Sequence, residues 1–314
     1  MAKNNGKFTL FLMLCMLIFA VCFIIGMDKC EYAAKQVNFT DKHNMSTARQ
    51  IVNDRVKNTS KSVKVDGGKI ELLCLMYHNI VGNNQKQGDY EVRVNMLEQD
   101  FAEIKKLGYT CVNRKKLLEV VDNKKYGKYA MITFDDGFYG VYKYVPKLLE
   151  KYDMSCIVSV VGEFMDKQDK IEYKTRCSYM NTNEVKELAK NPRVEIAQHS
   201  YDYHHIKNGR KGVKIKNGET SDKYIQTFKS DTQKLTDKLK SIGVKTKTYC
   251  YPYGEYCKES ESVLKNLKYQ MTMTCNEHLN YVKGRESLYL LGRLNRSANC
   301  QNINNLIAKA CNKK

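Results

Sequence analysis

From Ile70 onward, short apolar runs alternate with stretches of helical period, and this alternation limits the fold more than any other feature of the chain. Leu72 to Tyr77, Thr110 to Val112, Ala130 to Phe134, Ser155 to Val161, Val194 to Ala197 and Thr248 to Tyr251 have strand length and strand composition. Tyr269 to Thr274 and Tyr289 to Leu294 continue the series. Between them, Met96 to Leu107 repeats apolar residues at helical spacing and closes on Gly108. Leu117 to Val121, Val141 to Tyr152, Thr182 to Lys190, Ser221 to Ile242, Ser260 to Leu267 and Ile303 to Ala310 read as further helices, with Thr182 capping its own. Strand then helix, repeated over this length, predicts parallel strands joined by helical crossovers. Sites in such folds gather at the C-terminal ends of the strands.

The residues with chemical use do fall just after strands. Tyr129 to Phe134 ends in Asp135, Asp136 and Gly137, and two adjacent carboxylates are a poor way to build a core. Val194 to Ala197 leads to His199, with His204 and His205 close behind. Asp136, His199 and His204 make a mixed oxygen and nitrogen set suited to Zn²⁺ and related divalent ions, Co²⁺ and Ni²⁺ included. Three protein ligands leave coordination positions open, which marks catalysis rather than scaffolding. His199 and His204 are five apart, so the intervening residues read as a loop that curls back, with His205 as the competing ligand. Asp135, beside the metal set, is placed to act as a base. Tyr251-Pro252-Tyr253-Gly254 reads as a fixed loop whose Tyr253 N–H can serve as an oxyanion donor.

Composition narrows the setting. Lys and Arg outnumber Asp and Glu by 53 to 34, a formal charge of +19, which favours anionic surroundings such as a cell-wall polymer. The lysines are scattered and no nucleic-acid motif accompanies them, so nucleic acid is not an expected partner. Phe8 to Met27 is an apolar run of spanning length preceded by Lys3 and Lys7. It predicts a single-pass membrane anchor with the remainder outside the cell, a cleaved signal peptide being the rival reading. The expected organisation is a cytoplasmic tip and anchor over 1–27, a polar linker over 28–69, and a monomeric catalytic domain over 70–314. Cys74 and Cys156 read as buried small hydrophobes, and one or two disulfides are expected among Cys250, Cys257, Cys275, Cys300 and Cys311.

Three motifs in order carry a family resemblance. Thr133-Phe134-Asp135-Asp136-Gly137, His199-Ser200 with His204, and Tyr251-Pro252-Tyr253-Gly254 resemble the motifs of the polysaccharide deacetylase family, carbohydrate esterase family 4, also called the NodB-homology domain. Leu75-Met76-Tyr77-His78 is similar to the start of the branch containing poly-N-acetylglucosamine deacetylases. The resemblance implies an α/β fold, a distorted (β/α) barrel of about seven parallel strands, here preceded by the N-terminal transmembrane helix. It implies metal-dependent removal of acetyl groups from an N-acetylglucosamine polysaccharide, with Asp135 as base, Asp136, His199 and His204 as ligands, and Tyr253 N–H in the oxyanion hole. An O-acetyl esterase of the same fold and a non-catalytic glycan-binding protein are the alternatives. Two positions depart from the pattern. Cys250 stands where many members have an arginine, and Arg293 is the candidate replacement. The late Leu-x-His motif is not evident, which leaves His278 and His78 as candidate acids.

Overall fold

The computed structural model describes residues 68–300 and 302–312. It opens with β1 (Ile70–Tyr77), β2 (Asn79–Val81) and β3 (Glu91–Arg93), followed by α1 (Val94–Lys106), whose buried Leu97, Phe101 and Ile104 share one face. Next come β4 (Thr110–Cys111), α2 (Arg114–Asp122), β5 (Gly127–Phe134), α3 (Tyr139–Lys151), β6 (Cys156–Val160) and α4 (Gly162–Gln168). Helix α5 (Thr182–Leu188) is capped by Asn181, not by the expected Thr182, because Asn181 and Glu184 satisfy each other's backbone N–H groups in a capping box. The chain continues with β7 (Val194–Gln198), the hairpin β8 (Ile206–Lys207) and β9 (Arg210–Lys211), and α6 (Ser221–Ser241). It ends with β10 (Thr248–Cys250), α7 (Lys258–Asn266), β11 (Met271–Met273), β12 (Asn280–Val282), β13 (Leu294–Asn295) and α8 (Ile303–Asn312).

The main sheet runs β11-β10-β7-β6-β5-β1-β12. This is the curled sheet of a distorted (β/α) barrel, as expected, except that β12 pairs antiparallel with β1, so the seven are not all parallel. The expected strand Tyr289 to Leu294 is also broken. Leu290 sits at φ 61°, a conformation that interrupts a strand. Beyond it Leu291 bridges Met273, and β13 pairs parallel with the C-terminal half of β1. This segment thereby spans the seam between β11 and β1 and carries Arg293 across it.

Alternation along the strands sorts two cores. Leu73, Leu75, Ala130, Ile132, Val158 and Val160 face outward to the helices, among them Phe101, Val145 and Leu149. Leu72, Cys74, Met131, Ile157, Ala197, Cys250 and Met273 fill the inside of the curl. The interior is packed, so a ligand has room only at its ends.

The expected disulfides are absent among the described residues: Cys250, Cys257, Cys275 and Cys300 are free thiols. Cys250 packs on Met273 inside the curl and Cys275 on Met76, each sulfur engaged away from the other cysteines. Cys74 and Cys156 are buried as expected. No helix among the described residues is long and apolar enough to cross a membrane. The expected transmembrane helix, with the membrane attachment and the single-pass, extracellular placement that rested on it, finds no support among the described residues. The run Phe8 to Met27 on which those expectations rested, like the linker as far as residue 67, lies outside the described residues.

Candidate active site

The inward-facing series Met131, Thr133, Asp135 follows from the period of two along β5, and Ala197 to His199 follows from the same period along β7. Ser159 on β6 is inward by the same rule. The strands thus deliver Asp135, Ser159 and His199 to one point at the C-terminal mouth. Asp136 would face away if the strand continued. Instead it adopts φ 70° and Gly137 φ 74°, which turns the chain and keeps Asp136 at the mouth. A side chain on Gly137 would press on Val160 at 3.1 Å.

The loop from His199 to His204 does curl back. Ser200 takes φ 70°, and its hydroxyl accepts the N–H of Tyr203 at 3.1 Å. Asp231 of α6 accepts the backbone N–H groups of Tyr201 and Asp202 at 2.9 and 2.8 Å. Tyr201 is held further by a hydrogen bond to Asp166, and by Lys234 over its ring at 3.7 Å. Gly162 makes room for that ring, since a Cβ there would meet it at 2.4 Å.

Asp136, His199 and His204 present ligand atoms that all lie within 4.8 Å of one another. Asp136 Oδ1 is 3.0 Å from His204 Nε2 and 3.4 Å from His199 Nε2, yet this buried oxygen has no hydrogen bond of good geometry. His199 Nδ1–H donates to the carbonyl of Cys250 at 2.7 Å, which fixes the tautomer and leaves the Nε2 lone pair facing the cluster. Burial, opposed by Asp135, drives the His199 imidazole down to about 4, so it stands neutral and ready to coordinate. An oxygen without a partner beside two imidazoles fits a divalent cation. His205 is not part of the cluster; it lines a separate cavity.

Asp135 belongs to a different network. Arg293 forks onto it, Nη1 to Oδ1 at 2.8 Å and Nη2 to Oδ2 at 2.7 Å, and Ser159 donates to Oδ1 at 2.6 Å. Arg293 is itself fixed by Thr274 O at 3.0 Å and Thr133 Oγ1 at 3.1 Å. Burial alone would raise the Asp135 carboxyl. Arg293 overrides it and holds the group well below the usual carboxylate range. The arginine missing at Cys250 is therefore supplied from the seam segment. Ser159 carried no signal in an apolar run, although the period of two would have picked it out.

A cavity of about 530 Å³ opens over these groups. His78, Tyr90, Phe138 and Tyr253 line it together with Asp135, Asp136, His199 and His204. Tyr253 lies at φ 57°, with its ring centroid 4.8 Å from that of His204. His278 does not line the cavity; its ring packs on Gly292, where a Cβ would meet it at 2.3 Å.

Comparison with known proteins agrees with this geometry. A polysaccharide deacetylase family model matches residues 122–272. The poly-beta-1,6-N-acetyl-D-glucosamine N-deacetylase of Escherichia coli strain K12 is 26% identical over 229 residues, covering 66% of this chain and 34% of that protein. The chain thus spans about a third of the length of that curated relative. Among solved structures, a de-N-acetylase from Aggregatibacter actinomycetemcomitans aligns with TM-score 0.62 at 20% identity, over 76% of this chain and all of the other. IcaB from Ammonifex degensii aligns with TM-score 0.61 at 21% identity, over 73% of this chain and 92% of the other. These structural likenesses establish the fold. The motif-bearing stretch is thus similar to the polysaccharide deacetylase family, the fold is the one those solved structures share, and the Asp-His-His cluster assembled on it could hold a metal ion.

Proposed function

We infer that residues 70–314 form the catalytic domain and remove acetyl groups from the nitrogen of N-acetylglucosamine residues in a polysaccharide. The observation that carries the reading is the pairing of two differently treated acids. Asp136 is left open toward two imidazoles, while Asp135 is locked by Arg293 and Ser159 on the same cavity.

Asp136, His199 and His204 would hold the ion, with zinc as the proposed metal and cobalt or nickel as alternatives. When bound, it supplies Lewis acidity toward water and the acetyl carbonyl. Asp135 is kept ionised and oriented, and it takes the proton of the attacking water. The fork from Arg293 leaves the carboxylate no freedom to swing onto the cluster. The backbone N–H of Tyr253 is the proposed donor to the developing oxyanion. His78 is the proposed acid for the departing amine, because it lines the cavity and His278 does not. An amine leaving group needs that proton more than an alcohol does, so an acid in the cavity favours N- over O-deacetylation.

The test is acetate release from a chitooligosaccharide and from acetylated xylan by the purified protein and by His78→Asn. The account expects release from the first substrate, little from the second, and a loss of about 10²-fold in the variant. Preferential release from xylan would make the protein an O-esterase instead.

A further inference from the structure

A second cavity, of about 590 Å³, lies beside the metal centre and takes no part in the reaction proposed above. Consecutive residues divide the two: His204 lines the first, while Tyr203 and His205 line the second. Its walls are the hairpin β8–β9 and the start of α6. The hairpin turns on Asn208 and Gly209, both at positive φ (53° and 73°), as a tight two-residue turn requires.

Charge is distributed unevenly in this cavity. Lys207, Arg210, Lys216 and Lys223 line it against a single carboxylate, Glu219. Arg210 consumes that carboxylate in a fork of 2.6 and 2.7 Å. It also donates to Lys214 O at 2.9 Å and lies 5.1 Å over Tyr203 and 5.6 Å over Tyr224. Arg210 is buried, and with Glu219 it forms a rigid, neutral frame. Among the described residues, Lys207, Lys216 and Lys223 make no ion pair, so three ammonium groups border one opening without an opposing charge. The Nδ1 atom of His205 is also buried there with no hydrogen-bond partner. Unpartnered polar atoms of this kind are uncommon and call for an explanation. Like charges gathered around a concave surface focus a field that attracts anions.

We propose that this cavity binds a carboxylate or phosphate substituent carried by the same polysaccharide whose acetyl group enters the metal centre. N-acetylglucosamine is uncharged, so the cavity selects decorated stretches of polymer over plain ones. The inference rests on the deacetylase reading for its substrate, but its binding step can be measured separately.

Two soluble N-acetylated polymers serve as probes, neutral glycol chitin and anionic carboxymethyl chitin. The wild type is expected to show about tenfold higher kcat/KM on the anionic polymer at low ionic strength, fading toward parity in about 0.5 M NaCl. In K207Q/K216Q/K223Q the ratio of the two kcat/KM values is expected to fall to about one. A wild type with no preference, or a preference that survives in the triple variant, overturns the proposal. If neither polymer releases acetate, the deacetylase reading fails, and calorimetric binding of carboxymethyl chitin decides the matter. Binding by the wild type and its loss in the triple variant then supports the cavity's role, while equal binding by both overturns it.

Discussion

The two ends of the curled sheet each bury an arginine–carboxylate pair, and they use it differently. At the N-terminal end, Arg114 bonds Glu195 at 2.6 Å, and Thr248 donates to the same oxygen at 3.0 Å. Arg114 also bonds Gln270, so α2, β7, β10 and the residue leading into β11 are tied together, and Glu195 does not line the active-site cavity. At the C-terminal end, Arg293 and Ser159 bind Asp135 just as firmly, but the carboxylate borders open space next to Asp136, His199 and His204. Equal chemistry yields a tie at one end and the proposed base at the other. The difference lies in what stands beside the acid: the contacts of Glu195 are Arg114 and Thr248, whereas Asp135 borders a cavity that Asp136, His199 and His204 also line.

The largest expected effect comes from breaking the upper pair. Arg293→Ala leaves Asp135 buried and uncompensated, which costs about 3–5 kcal/mol of stability and about 10²-fold or more in kcat/KM. Its pH dependence follows from the sign of the shift. In the wild type, the Asp135 carboxyl is held below its unfolded value, so its contribution to stability is complete above about pH 4 and is lost only as the pH falls far into acid. Without Arg293, burial is opposed only by Ser159 and the neighbouring histidines, so the group rises. Denaturation midpoints and kcat/KM profiles are expected to show the acid limb moved to higher pH in the variant, and an unmoved limb would remove Arg293 from the account. Breaking the lower pair with Arg114→Ala should cost about 3 kcal/mol or more, read as a lower Tm, with kcat per folded molecule and metal affinity unchanged. A change in kcat there would erase the contrast between the two ends. The smallest effect is expected for Asp231→Ala, which frees the N–H groups of Tyr201 and Asp202 and loosens the loop between the two histidines. Metal affinity should fall about tenfold while kcat at saturating metal holds.

How legible this was in the sequence depends on the kind of signal. Strands that deliver Asp135 and His199 announce themselves by their apolar runs, and the adjacent acids stand out because no core would hold them. The replacement of the missing arginine by Arg293 was a suggestion from strand order, and its fork onto Asp135 needed coordinates. Asp231 reads as part of the solvated face of a long helix, and only its position over the loop gives it a task. The antiparallel β12 lacks a distinguishing pattern in three residues, and Leu290 at positive φ breaks a run that composition marks as strand. Cysteine counting misled, because Cys250 and Cys275 are engaged with methionines at 3.8 and 3.6 Å rather than with each other.

Metal content and affinity of the purified protein, measured beside Asp136→Ala with acetate release in the same samples, test the central claim most directly. The account predicts one divalent ion per wild-type chain, little or none in the variant, and a loss of activity of at least about 10³-fold with the circular dichroism unchanged. A variant that retains the ion, or a wild type that releases acetate equally well after complete removal of metal, would contradict it.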